Sequence, residues 1–197
     1  MKKAGAAVLA LLILAALGWR FGPRLAEEAL RWLYPRQYSQ VVSREAGEFQ
    51  LEEALVYAVI RAESGFDREA RSHAGALGLM QLTEPTFQWM AVEYPPENGG
   101  GDMLDVNDNI HCGCALLRRL LDHYGQLEVA LAAYNAGIGN VDHWLEEGKH
   151  SEDGETLSSI PFPETAAYVK KVLRNREVYR RLYGGASAAD ETGKPAA

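Results

Sequence analysis

One glutamate and a glycine-rich loop after it carry the residue types for proton transfer in this chain. Glu63-Ser64-Gly65-Phe66 is followed by Gly75-Ala76-Leu77-Gly78-Leu79-Met80-Gln81, and further on by Ala132-Ala133-Tyr134-Asn135-Ala136-Gly137. A carboxylic acid that stays protonated near neutral pH can deliver a proton to a leaving oxygen. Leu51, Ala54, Leu55, Ala58, Val59 and Ala62 recur at helical spacing and predict an amphipathic helix over residues 51–62. Leu55, Val59 and Glu63 share one row at spacing four. Glu63 is therefore expected on or beside the buried face, at the C-terminal end, just before a stop at Gly65. Partial burial and the negative end of the helix dipole both disfavour a carboxylate, so both raise its pKa. The plainer alternative is a solvated glutamate paired with Arg61, Arg68 or Arg71, because a perturbed carboxylate marks a functional site only statistically.

The elements that must position Glu63 read as helices and loops. Residues 25–33 predict a short amphipathic helix or a linker. A helix over 83–93 is stopped by Pro95-Pro96, with Thr83 as cap and Pro85 in its first turn. Residues 97–101 form a glycine-bearing loop. Asn107 or Asp108 is expected to cap a helix reaching Tyr124, with Ile110, Gly113, Cys114, Leu117, Leu121 and Tyr124 inward and Gly125 as its stop. A further helix spans 127–135. Residues 149–159 are polar and read as an exposed loop. The last helix covers 164–183, with Val169, Val172, Leu173, Tyr179 and Leu182 inward, and residues 185–197 read as a disordered tail. No period-two strand pattern and no internal repeat is present. The expected class is all-α with one groove.

Six short motifs in order resemble the lytic transglycosylase family, in its soluble-transglycosylase-like catalytic domain with a fold related to goose-type lysozyme. They are Tyr34-Pro35-Arg36-Gln37-Tyr38, then Ala62-Glu63-Ser64-Gly65-Phe66, then Ser72 through Gln81. Asn109-Ile110 with Gly113 comes next, then Ala133-Tyr134-Asn135-Ala136-Gly137 with Val141 and Trp144, and finally Glu164-Thr165-Ala166-Ala167-Tyr168-Val169. Each is weak alone; the series covers about Tyr34 to Tyr183. One departure stands after Gln81, where Leu82-Thr83-Glu84-Pro85-Thr86-Phe87 places the proline one residue late and a phenylalanine where the family has a small residue.

The resemblance implies an all-α, goose-type lysozyme-like domain with a glycan-binding groove, and an enzyme acting on the glycan strands of peptidoglycan. It implies Glu63 as the catalytic residue, first acid and then base. The bond cleaved would be the β-1,4 link between N-acetylmuramic acid and N-acetylglucosamine, closing a 1,6-anhydro ring without water. It implies Ser72, Met80, Gln81, Tyr134, Asn135 and Tyr168 as substrate-binding positions, and no cofactor. Packing with a hydrogen-bonded hydroxyl is the alternative for Tyr134 and Tyr168, and plain packing the alternative for Met80. Glycosidases ordinarily use two carboxylates. The candidates for a second, Asp67, Glu69, Glu84, Asp102 and Asp105, fall outside the family's catalytic motifs. A hydrolytic muramidase on the same fold would need one of them. A non-catalytic glycan-binding envelope protein would need no half-buried acid.

Composition narrows the partners. A formal net charge of −7 and a pI near 5.3 argue against nucleic acid. Met1-Lys2-Lys3 followed by the uncharged apolar run from Ala4 to Trp19 reads as a signal-anchor segment over 1–20. It would hold the chain in the cytoplasmic membrane with the remainder on the extracytoplasmic face, where envelope-complex proteins are possible partners; export after cleavage is the alternative. Residues 21–33 then form a juxtamembrane linker and 34–184 the catalytic domain. Cys112 and Cys114, two apart on a helix, are poorly placed to bridge each other. His111 shares a face with Cys114, but two ligands fall short of a tetrahedral set, so no metal is expected.

Overall fold

A computed structural model describes residues 25–97 and 99–184. The membrane segment expected over 1–20, the start of the linker and the tail over 185–197 lie outside the described residues. Two units are distinguished, Arg36–Gly184 and residues 1–35 with 185–197. In the second, residues 25–33 form helix α1, on which Arg31 Nη2 donates to Glu27 Oε1 at 2.8 Å. Among the described residues, no helix is long and apolar enough to cross a membrane.

The unit Arg36–Gly184 is helical throughout. Its elements are α2 (Ser39–Glu48), α3 (Glu53–Glu63), α4 (Glu84–Glu93), α5 (Val106–Tyr124), α6 (Leu127–Ala136), α7 (Ile138–Glu146) and α8 (Pro163–Tyr183). The described residues include no strand, only two isolated antiparallel bridges, Arg71 with Leu77 and Leu77 with Leu82. The all-α expectation holds. Two helices, α2 and α7, were not expected as elements.

Helix α3 is the centre of the unit. The sequence predicts one apolar stripe, yet Leu55 through Ile60 are all buried. The run Leu55-Val56-Tyr57-Ala58-Val59-Ile60 is apolar on every side, and a helix with no polar face belongs inside. It packs most extensively on α8. Tyr57 stacks on Tyr179 with centroids 5.2 Å apart. At the α3 N-terminus Glu52 receives Arg176 Nε at 2.6 Å and Arg180 Nε at 3.0 Å. These contacts fix where α3 points its last residue, Glu63.

Helix α5 packs on α6, α2 and α4. Its cap is Asp105, not Asn107 or Asp108: Asp105 Oδ1 accepts from Asn107 N at 2.8 Å and Asp108 N at 3.2 Å. The other two side chains are committed elsewhere. Asn107 Oδ1 accepts from Arg44, and Asp108 Oδ2 accepts from the amides of Gly101 and Asp102. Leu120 rather than Leu121 is buried on this helix, and Leu173 of α8 is only partly covered. Cys112 and Cys114 are free and buried.

Candidate active site

Glu63 closes α3, and the chain reverses immediately after it. Gly65 and Phe66 both adopt positive φ, 61° and 73°. Two successive left-handed residues are costly except at glycine, so other contacts must hold Phe66. Ser64 Oγ does this at the helix end. It accepts from Phe66 N at 3.1 Å and donates to the Leu79 carbonyl at 2.8 Å. One hydroxyl thus ties the end of α3 to the loop that returns over it. Ser64 was quoted in the sequence motif without a role.

The loop from Leu77 to Leu82 is pinned from α5. Asn109 Oδ1 accepts from Met80 N at 2.8 Å, while its Nδ2 donates to the carbonyls of Leu77 at 3.1 Å and Met103 at 2.8 Å. Two glycines allow this closeness. A Cβ on Gly78 would stand 2.4 Å from Asn109 Nδ2, and one on Gly113 would stand 2.3 Å from the Met80 sulfur. Met80 is fully buried against α5. Its side chain lies in the core, as the packing alternative has it, rather than open to a substrate. Its carbonyl is the active part: it accepts from the Tyr134 hydroxyl at 2.8 Å.

The other expected residues fall as follows. Gln81 has φ 50° and turns its Nε2 back to the carbonyls of Ala70 at 3.1 Å and Gly78 at 2.8 Å. Ser72 is exposed, and its Oγ accepts from Ala76 N at 2.9 Å, a bond within the loop. Asn135 is exposed, with its Oδ1 accepting from Thr165 Oγ1 at 2.7 Å, which joins the end of α6 to the start of α8. Tyr168 lies one helical turn after Thr165. Its hydroxyl is buried and makes no hydrogen bond of ordinary length and angle with any described residue. Its electrostatic neighbours are Glu63 and Tyr134.

Glu63 is largely covered. Burial pushes its carboxyl up to about 7, against the pull of the Tyr168 hydroxyl and of the Lys171 ammonium. Arg61, Arg68 and Arg71 are not among the groups that shift it; Arg68 instead pairs with Glu69 at 3.1 Å. Lys171, not foreseen from the sequence, donates to the Ala62 carbonyl at 2.7 Å. Burial holds both tyrosine hydroxyls far above their usual range, and the Glu63 charge adds to this. Both therefore remain O–H donors beside an acid poised to give or take a proton near neutrality.

Among the described residues, no carboxylate is one of the groups acting on Glu63. Three of the five alternatives are occupied with nearby amides. Asp67 Oδ1 accepts from Glu69 N, Asp102 Oδ1 from Leu104 N, and Asp105 caps α5. A cavity of about 390 Å³ lined by Tyr94, Arg119, Leu120, Asp122, His123 and Ile138 contains none of these site residues.

One group of metal-ligand side chains comes together among the described residues, Glu45, Glu48 and His111. Both His111 nitrogens are engaged there, Nδ1 with Glu45 Oε2 at 2.7 Å and Nε2 with the Tyr94 carbonyl at 3.1 Å. Arg44 Nε also donates to Glu45 at 2.8 Å. An imidazole bonded on both sides, next to a guanidinium, makes an ion pair rather than a cation site. Cys114 is not part of it. Burial pushes Cys112 up to about 12 and Cys114 well above its ordinary value, so neither thiol ionises.

Residues 40–157 match the family model described as the transglycosylase SLT domain. A soluble lytic murein transglycosylase of Salmonella typhimurium is 32% identical over 155 residues, covering 77% of this chain and 24% of that protein. A membrane-bound lytic murein transglycosylase F of Desulfosudis oleivorans is 31% identical over 79% of this chain and 33% of its own. In an X-ray structure of an inactive mutant of the lytic transglycosylase Slt from Pseudomonas aeruginosa, 33% of aligned residues are identical. The match has a TM-score of 0.65 and covers 75% of this chain and 24% of that one. The chain thus spans about a quarter of the length of the first relatives it matches.

Proposed function

This chain belongs to the transglycosylase SLT family, whose model matches more than half of it, and from that premise we propose that it is a peptidoglycan lytic transglycosylase with Glu63 as its one catalytic carboxyl. The observation that carries the proposal is the setting of Glu63: an acid raised to about 7 by burial, with no second carboxylate among the described residues acting on it. Protonated Glu63 gives its proton to the glycosidic oxygen between N-acetylmuramic acid and N-acetylglucosamine, and the C1–O bond breaks. The carboxylate then takes the proton of the muramoyl 6-hydroxyl as that oxygen bonds to C1. The proton returns to Glu63, the ring closes as 1,6-anhydromuramic acid, and no water is consumed. The nucleophile belongs to the substrate, so proximity replaces a protein-held water.

The supporting roles follow from position. The buried Tyr168 hydroxyl faces Glu63 and pulls its pKa down against burial. In this reading it steadies the Glu63 carboxylate as the acid becomes the base. Tyr134 holds the Met80 carbonyl and so sets the loop beside Glu63. Ser72, Gln81 and Asn135 are the polar side chains offered to the sugar. Residues 34–184 are the catalytic domain. Residues 1–20 anchor the chain in the cytoplasmic membrane with that domain in the cell envelope, outside the cytoplasm; membrane-bound members among its relatives support the location.

Mass spectrometry of products from purified peptidoglycan tests the reaction. The expected ends are 1,6-anhydromuramic acid, about 18 mass units lighter than hydrolytic ends because the nucleophile is intramolecular. Chiefly reducing muramic acid would overturn the mechanism.

A further inference from the structure

Helix α1 has two unlike sides. At 100° per residue, Leu25, Ala29, Trp32 and Leu33 fall on one face, extended by Ala26 and Leu30, while Glu27 and Arg31 fall opposite and Glu28 stands at the edge beside Trp32. The polar face is closed on itself by the Arg31–Glu27 ion pair. The apolar face is bare: Leu25 is 63% exposed, Trp32 80% and Leu33 47%. Large exposed apolar side chains gathered on one face mark a surface that something covers.

The sequence says what lies next to it. The uncharged apolar run from Ala4 to Trp19 ends only a few residues before Leu25, with Arg20 and Arg24 between. At about 1.5 Å per residue, that run approaches the thickness of a bilayer core. Whatever emerges from it begins at the headgroup level. Tryptophan prefers that level, and arginines there are drawn to anionic headgroups. A second copy is a poorer occupant. At about 13 Å long, α1 offers far less than the roughly 800 Å² per partner of a stable interface.

Resting on the anchored reading of residues 1–20, we propose that α1 lies along the membrane surface, with Leu25, Ala29, Trp32 and Leu33 set into the boundary between headgroups and acyl chains, Glu27 and Arg31 toward water and Glu28 at the edge. The helix would then be a lipid-binding collar at the start of the extracytoplasmic chain, limiting how far its next segment can leave the bilayer.

The test uses the full chain in vesicles of zwitterionic and anionic phospholipid. Single cysteines, Leu25→Cys, Glu28→Cys, Arg31→Cys, Trp32→Cys and Leu33→Cys, are labelled with an environment-sensitive fluorophore that dithionite reduces from the aqueous side. The native thiols are buried and un-ionised and so resist labelling in the folded protein. Probes at 25, 32 and 33 should emit at shorter wavelength and be reduced roughly tenfold more slowly than the probe at 31, with the edge position 28 in between, as a helix half-sunk in the interface requires. Equal reduction at all five positions, in protein that floats with the vesicles, overturns the proposal and leaves the anchor standing. Protection that appears only at protein-to-lipid ratios where copies meet also overturns it, and assigns the face to a second copy. Failure of the chain to float with vesicles overturns the anchored reading and this proposal together.

Discussion

Lys171 Nζ donates to the Ala62 carbonyl at 2.7 Å, one residue before the Glu63 carboxyl. The bond does two things. It satisfies one of the orphan carbonyls at the C-terminal end of α3, and it holds a positive charge near the proposed acid from α8. That charge favours the carboxylate, in opposition to burial. The groups facing Glu63 from the packed elements are Tyr168 and Lys171 of α8 and Tyr134 of α6.

Replacing Lys171 with Met should therefore raise the Glu63 pKa further above about 7. A general acid must start protonated, so the alkaline limb of the kcat/KM profile should move to higher pH. The shift should be small, because Lys171 is solvent-exposed and screening is strong there. It should grow at low ionic strength and vanish in Lys171→Arg. An unchanged alkaline limb at low salt would remove Lys171 from the electrostatics of the site.

Glu63→Gln should leave a folded protein with almost no turnover. Loss of a general acid costs about 10²–10⁴-fold, and here one residue serves both proton transfers. Its stability should move the other way. Between the ordinary 4.5 and about 7, the folded chain holds a proton on Glu63 that the unfolded chain has released. Wild type therefore loses stability as pH rises through that window. Glutamine cannot ionise. The variant should match wild type at pH 4 and exceed it at pH 8 by about 1–3 kcal/mol, read as a few degrees in Tm. A variant no more stable than wild type at pH 8 would show that burial does not strain the ionised acid.

Asn109→Ala tests how the loop is held. It removes three hydrogen bonds at once, to Met80 N, Leu77 O and Met103 O. Buried groups left unpaired cost about 1–3 kcal/mol each, partly regained by water, so a loss of about 3–5 kcal/mol is expected. Asn109→Asp should not rescue it. Aspartate keeps the acceptor for Met80 N but turns a carboxylate toward two carbonyls. Denaturant midpoints measure this, and an Asp variant as stable as wild type would contradict the clamp.

The helical class and the position of Glu63 at a buried helix end were legible because periodicity and stop signals are local. The upward direction of its pKa was legible for the same reason. The burial of α3 on every side was harder to see, since a stripe of six apolar residues conceals that Val56, Tyr57 and Ile60 are covered too. Helix α2 buries only Val42, Glu45 and Ala46, and α7 only Val141 and Trp144. Both helices nonetheless carry a clear amphipathic pattern, so the sequence held a signal for them. The Asp105 cap was missed because three acceptors stand within four residues, and only the loop at Gly101 and the Arg44 side chain decide between them. Tyr134 with Met80, Asn109 with the loop, and Lys171 with Ala62 join residues 54, 29 and 109 positions apart. No spacing rule in the sequence foretells which side chain meets which carbonyl.

A buried polar pair makes the last prediction. His111 Nδ1 meets Glu45 Oε2 at 2.7 Å, with both side chains almost wholly buried. Burial works against the Glu45 carboxylate, but the His111 and Arg44 bonds outweigh it and lower its pKa. The Glu45 bond is the main cause that raises His111, ahead of the opposing effect of burial. The two stabilities have opposite windows. The Glu45 contribution is present above its unfolded value near 4.5 and is lost as pH falls through the lowered folded value. The His111 contribution is present below its unfolded value near 6.5 and is lost as pH rises through the raised folded value. The pair should thus stabilise the fold most between about 4.5 and 6.5 and less on either side. Glu45→Gln keeps an acceptor for His111 but removes the charge. Its deficit relative to wild type should peak in that window, at about 1–3 kcal/mol, and shrink toward both pH 3 and pH 9. Urea midpoints across pH measure it. A deficit that stays constant from pH 3 to pH 9 would mean that the pair is held by shape and neutral hydrogen bonds, with no imidazolium at its centre.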